Sequence, residues 1–141
     1  MYDFPDNIVL QAILKKQYEN EKKVAAICHG VCGLLNVTLA SGEYLVKDKK
    51  LTGFSRAEEI LARKERVVPF DLETELKDRG ARYEKALIPM TSKVVIDGNL
   101  FTGENPFSSR QCFTFSGSIG LFLSYLRTDR RKFNTSSKFI S

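Results

Sequence analysis

At 141 residues, 43% hydrophobic and 28% charged, with 9 Gly, 4 Pro and 3 Cys, the chain has the balance of one globular domain; collagen-like, mucin-like and disordered compositions are excluded. Its net charge of +5 is confined to the end: residues 1–109 hold equal numbers of basic and acidic side chains, whereas residues 110–141 hold Arg110, Arg127, Arg130, Arg131, Lys132 and Lys138 against Asp129. The longest apolar run, Ile119 to Leu123, is far short of the ~18 residues that cross a bilayer, Asp3 and Asp6 spoil a signal peptide, and three cysteines without a regular framework suit a reducing compartment, so a cytoplasmic protein is expected.

Residues 7–20 place Ile8, Val9, Ala12 and Ile13 at helical spacing behind Asp6 as a candidate N-cap, with Lys15 and Lys16 opposite, and read as an amphipathic helix. Residues 23–27 follow with Val-Ala-Ala-Ile, an apolar run without alternation, as in a strand covered on both faces of a parallel sheet. Cys28-His29-Gly30-Val31-Cys32-Gly33-Leu34-Leu35 then reads as a sharp turn into a helix. Residues 49–52 form a second short strand, and Ser55-Arg56-Ala57-Glu58 is a capping box that opens a short helix. Asp71 caps a helix over residues 72–79 that Gly80 stops, and the strands 94–96 and 100–102 meet at the hairpin signal Asp97-Gly98. A last helix is expected within residues 107–126. Residues 127–141 show no period and read as a disordered basic tail, solvated rather than bound to nucleic acid or membrane.

The pentapeptide Ala26-Ile27-Cys28-His29-Gly30 has the spacing of a nucleophile elbow, small residues standing two positions either side of a cysteine. A thiol where a strand turns into a helix meets unpaired N–H groups and the positive helix end, which favour the thiolate and lower a pKa of ~8.5. The backbone N–H of His29 is placed to help hold an oxyanion. His29 is the only histidine, so proton transfer near neutral pH falls to it or to a shifted carboxylate. Glu58 is engaged by the capping box, which leaves Glu59 either to orient the imidazole or as a solvated helix-face residue. Cys32, one helical turn past Cys28, reads as a packed core thiol, with a resolving role in a disulfide as the minor alternative; a metal site built from Cys28, His29, Cys32 and Cys112 is the weaker reading.

Val24-Ala25-Ala26-Ile27-Cys28-His29-Gly30, Leu51-Thr52-Gly53-Phe54 with Glu58-Glu59, Val68-Pro69-Phe70 with Leu72-Glu73, Asp97-Gly98 and Thr102-Gly103-Glu104-Asn105-Pro106 resemble, in order, the ThiJ/PfpI superfamily, most closely its branch of glyoxalase III, protein deglycase and stress-chaperone proteins. The resemblance implies an α/β, flavodoxin-like sandwich of the class I glutamine-amidotransferase-like kind, with a mostly parallel sheet and a β-hairpin. It places Cys28 on the nucleophile, His29 on the adjacent histidine and Glu59 on the acid that completes the triad. The implied reaction converts methylglyoxal to lactate without glutathione, through a hemithioacetal on Cys28. The implied partner is a small dicarbonyl, with a homodimer compatible and no specific nucleic acid or membrane; no metal or organic cofactor is implied.

The family's sheet begins with several βα units before the elbow, and residues 1–7 look like the segment that follows them. The chain is therefore expected to begin inside the family domain, with residues 1–110 its C-terminal portion and 111–141 a divergent helix and tail. Strands without neighbours would expose hydrogen-bonding edges unless another chain covers them. The competing readings are a non-catalytic remnant or thiol stress sensor and holdase, and a cysteine peptidase or amidotransferase-like hydrolase.

Overall fold

The computed structural model describes residues 3–63, 68–116 and 121–125. In chain order the elements are α1 (Ile8–Glu19), β1 (Val24–Cys28), a 3-10 helix (His29–Leu34), β2 (Lys50–Leu51), α2 (Arg56–Leu61), α3 (Leu72–Asp78), β3 (Arg82–Tyr83), β4 (Val94–Asp97), β5 (Leu100–Gly103), a 3-10 turn (Pro106–Ser108), α4 (Ser109–Ser116) and β6 (Leu121–Tyr125). Among these residues no helix is long and apolar enough to cross a membrane.

β1 is buried at every position. Its apolar run without alternation is accounted for by its place in the sheet order β4-β5-β1-β6. It lies parallel to β5 from Val24↔Leu100 to Ile27↔Gly103, and parallel to β6 from Val24↔Leu121 to Cys28↔Tyr125. Strands paired on both sides and layered on both faces are solvated nowhere, so every side chain can be apolar. β2 and β3 form a separate two-stranded parallel sheet, with Leu51 opposite Tyr83.

β4 and β5 form the expected antiparallel hairpin, with its turn one residue later than the sequence suggests. Asp97 stays in the ladder opposite Leu100, and the two loop residues are Gly98 and Asn99. Gly98 takes φ +59°, the left-handed backbone of a primed hairpin turn, which glycine adopts without a Cβ clash. Asp97 is then free to accept the Lys50 N–H at 2.8 Å, joining the hairpin to β2.

The two faces of β1 bury different clusters. Val24 and Ala26 belong to the larger one, with Leu10 and Leu14 of α1, Val31, Cys32, Leu34 and Leu35 after the elbow, Leu51, Leu72 and Leu76. Ala25 and Ile27 belong to a smaller one with Phe54, Phe101 and Cys112. Each leucine removed from water contributes roughly 1.5–3 kcal/mol, so the larger cluster dominates the hydrophobic stabilisation.

Three features differ from the sequence reading. The cap of α1 is Asn7, whose side chain accepts the Leu10 N–H at 2.9 Å, while Asp6 instead accepts from Asn36. The inward stripe of α1 is Leu10 and Leu14, with Tyr18 packed against the same cluster, whereas Ile8 is 77% and Val9 64% exposed. Spacings of four residues place Leu10, Leu14 and Tyr18 on one face; the sequence offers two apolar stripes, and the bulkier one is buried. The last helix lies at Ser109–Ser116, within the stretch expected for it, but residues 121–125 form an unexpected strand beside β1. Leu-Phe-Leu-Ser-Tyr is rich in strand-forming residues, too short to separate strand from helix by period alone. The basic stretch 127–141 lies outside the described residues.

Gly103 closes β5 where its backbone packs against two side chains: a Cβ there would stand 2.8 Å from Ser108 Cβ and 3.1 Å from Ile27 Cγ1. Gly103→Ala is therefore expected to destabilise the fold by about 1–3 kcal/mol through overpacking, read as a lower urea midpoint; an unchanged midpoint would show that the turn at 106–108 yields without cost.

Candidate active site

Cys28 ends β1 with φ +58° and ψ −133°, a backbone that a non-glycine residue adopts at a cost on the order of 1–3 kcal/mol. By strand parity its side chain belongs with Val24 and Ala26. It packs instead with Ala25, Ile27, Phe54, Phe101 and Cys112, because the reversed φ turns it to the other face. The elbow read from the spacing is thus present, with one difference of kind: the helix that follows is a six-residue 3-10 helix, all of it buried. Two glycines among its six residues and its short length favour the tighter winding, so its dipole is that of only two short turns.

His29 begins that helix, and both of its ring nitrogens are engaged. Nδ1 lies 3.4 Å from Cys28 Sγ, and Nε2 lies 2.5 Å from Glu59 Oε1. Cys28, His29 and Glu59 are 3%, 5% and 4% exposed, so the contacts are made out of bulk water, where their electrostatic weight is greatest. Glu59 is not a solvated helix-face residue, since it is buried with its Oε1 against the imidazole. Its Oε2 has no hydrogen-bond partner among the described residues, so the bonding seen at this carboxylate is all directed at the imidazole.

The consecutive glutamates divide their tasks. The capping box of α2 forms in full, the Ser55 hydroxyl accepting the Glu58 N–H and Glu58 Oε2 accepting the Ser55 N–H. Glu58 Oε1 also accepts from the Met90 N–H at 2.9 Å and from Asn105 Nδ2 at 2.8 Å. This fixes the first turn of α2, and Glu59, one residue on, is carried toward His29. Asn105 is thereby a support of the site that the sequence showed only as part of a loop motif. Phe54 is a second such residue: its ring lies 4.5 Å from that of His29, centroid to centroid, tilted by 36°. The sequence shows it only as the end of the motif Leu51-Thr52-Gly53-Phe54, directly ahead of a helix cap, with no sign of its contact to His29.

Glu104 is buried near this network, its Oε2 accepting the Ala86 N–H at 2.6 Å. Burial, with the charge of Glu58 adding to it, holds its carboxyl above the usual range. The other two thiols are suppressed. Burial pushes Cys32 up to about 12 and Cys112 up to about 11, so neither carries thiolate at neutral pH.

The model of the DJ-1/PfpI family matches residues 2–115. The chain belongs to the DJ-1/PfpI family. Among similar members, the "Probable glutathione-independent glyoxalase hsp3103" of Schizosaccharomyces pombe is 34% identical over 116 residues, covering 77% of this chain and 44% of that protein. The "Glutathione-independent glyoxalase HSP31" of Saccharomyces cerevisiae is 31% identical over 114 residues, covering 77% and 48%. The crystal structure of glyoxalase III from Candida albicans superposes with a TM-score of 0.74 at 28% identity, covering 82% of this chain and 50% of that one. The chain thus spans about half the length of the curated relatives it matches, and within that half it has the α/β fold of the DJ-1/PfpI family.

The thiol ranking is checked by alkylation. With iodoacetamide at neutral pH, Cys32 and Cys112 of the folded protein are expected to stay unmodified and to react once urea unfolds the chain, as read by peptide mass spectrometry. Rapid labelling of either in the folded state would contradict the burial described.

Proposed function

We propose that this DJ-1/PfpI chain carries a glutathione-independent glyoxalase site, in which Cys28 is the nucleophile, His29 the proton-transfer group and Glu59 the acid that orients it. The observation that supports this most is the unbroken series Sγ···Nδ1 and Nε2···Oε1, at 3.4 and 2.5 Å, on a strained elbow. A nucleophile, a base within reach of it and a third group that holds the base is the arrangement that activates a thiol. The similar yeast proteins are named glutathione-independent glyoxalases, and the substrate proposed on that ground is a small dicarbonyl such as methylglyoxal.

The Cys28 thiolate adds to the aldehyde carbon and forms a C–S bond, and the resulting alkoxide takes a proton, giving a hemithioacetal. His29 then removes the proton from that carbon, leaving an enediol; a proton returns to the neighbouring carbon that was the ketone, while the hydroxyl proton on the first carbon's oxygen passes to the former ketone oxygen. The product is a thioester of lactate on Cys28. Water attacks the thioester carbonyl, the C–S bond breaks, and lactate leaves with the thiol restored. Methylglyoxal and one water become lactate, with no net oxidation. Glu59 shares one strong contact with Nε2, which fixes the ring so that Nδ1 faces the sulfur and the substrate carbon attached to it.

The assay is methylglyoxal consumption and lactate formation in the absence of glutathione. Cys28→Ala is expected to abolish turnover, and Glu59→Gln to lower kcat by about 10²-fold or more, the scale of a lost general acid–base element. Lactate formation by Cys28→Ala at the rate of the unaltered protein would refute the nucleophile.

A further inference from the structure

The imidazole of His29 is held along its edge by Cys28 and Glu59, and one face of it is covered by Phe54. What places Phe54 is legible in the two residues before it. The Thr52 N–H donates to Thr102 Oγ1 of β5 at 2.9 Å. The Gly53 carbonyl accepts from the Tyr83 hydroxyl at 2.6 Å. Gly53 is also pressed against the body, since a Cβ on it would meet Val31 Cβ at 3.2 Å and a Leu72 methyl at 3.3 Å. Residues 52 and 53 are therefore tied on opposite sides, to the large sheet through Thr102 and to β3 of the small sheet through Tyr83, and Phe54 leaves this clamp with its ring against His29.

Resting on the triad reading above, we propose that Tyr83 is a positioning residue for His29, acting through Gly53 and the ring of Phe54. Tyr83 does not touch the reacting groups. Its hydroxyl fixes a carbonyl, the carbonyl fixes the backbone that presents Phe54, and the aromatic face limits rotation of the imidazole about the line between Sγ and Glu59. Burial, with the nearby charges of Glu73, Glu104 and Glu58, raises the phenol above its ordinary range, so it remains a donor at every working pH. The Glu59 contact alone fixes one atom of the ring; a ring is fixed as a plane only when its face is packed as well.

Because the chain has a single histidine, long-range proton–nitrogen NMR spectra of its ring are unambiguous. In the unaltered protein two distinct ring-nitrogen signals are expected, one for the nitrogen facing Cys28 and one for the nitrogen facing Glu59, with cross-relaxation between His29 and Phe54 ring protons. Tyr83→Phe and Phe54→Leu are each expected to collapse the separation toward averaged values, and the double variant to resemble Phe54→Leu alone, since both act through one path. The proposal is overturned if both folded single variants keep the unaltered spectrum, or if their effects add. Should the variants not fold, the unaltered protein decides: missing contacts between the two rings overturn the proposal, and their presence together with a slowly exchanging Tyr83 hydroxyl supports it. The readout involves no methylglyoxal, so a protein inert toward that substrate would refute the glyoxalase reading while leaving this result intact.

Discussion

The reversed backbone at Cys28 is the constraint around which the rest is arranged. A positive φ at a residue with a Cβ costs on the order of 1–3 kcal/mol, and it persists only where the surroundings determine it more strongly than that. Here the surroundings are the two parallel ladders on β1 and the buried 3-10 helix that follows. Hydrogen bonds on both sides hold β1 up to the elbow, and the burial of Val31, Leu34 and Leu35 holds the chain after it. The sulfur is thereby turned out of the alternation of its strand and set beside the imidazole of the next residue.

Charge is handled with the same economy of positions. Two glutamates stand next to each other in α2, both buried, and neither is left to water. Glu58 is consumed by backbone donors of Ser55 and Met90 and by Asn105, so its charge is spread over fixed dipoles. Glu59 meets the imidazole, whose capacity to take a proton makes the pairing useful chemically as well as structurally. One short helix with one cap thus supplies both an anchor and the carboxylate that meets His29.

Local chemistry was the part of the molecule most readable from the sequence. The capping box at Ser55, the Asp71 cap and Gly80 stop, the hairpin at Gly98 and the elbow at Cys28 are each written in a few adjacent residues whose backbone demands are specific. The meeting of Cys28, His29 and Glu59 was legible in part, because Cys28 and His29 are adjacent and the cap engages Glu58; that Glu59 faces the imidazole rather than water was left open by the local pattern. Long-range choices were not legible. Which apolar stripe of α1 faces inward depends on the sheet it meets, and the strand at Leu121–Tyr125 exists only in company with β1. Phe54 and Tyr83 escaped for the same reason, since their roles depend on contacts 25 and 30 residues away that no local pattern encodes.

The nucleophile proposed above requires that the elbow and its imidazole present Cys28 as a thiolate near neutral pH. The rate at which a small haloacetamide alkylates Cys28, followed against pH by peptide mass spectrometry, reports this directly. The account predicts an inflection clearly below the ~8.5 of a free cysteine, displaced upward in Glu59→Gln. A rate that rises only around or above the free-thiol value, unaffected by Glu59→Gln, would contradict it.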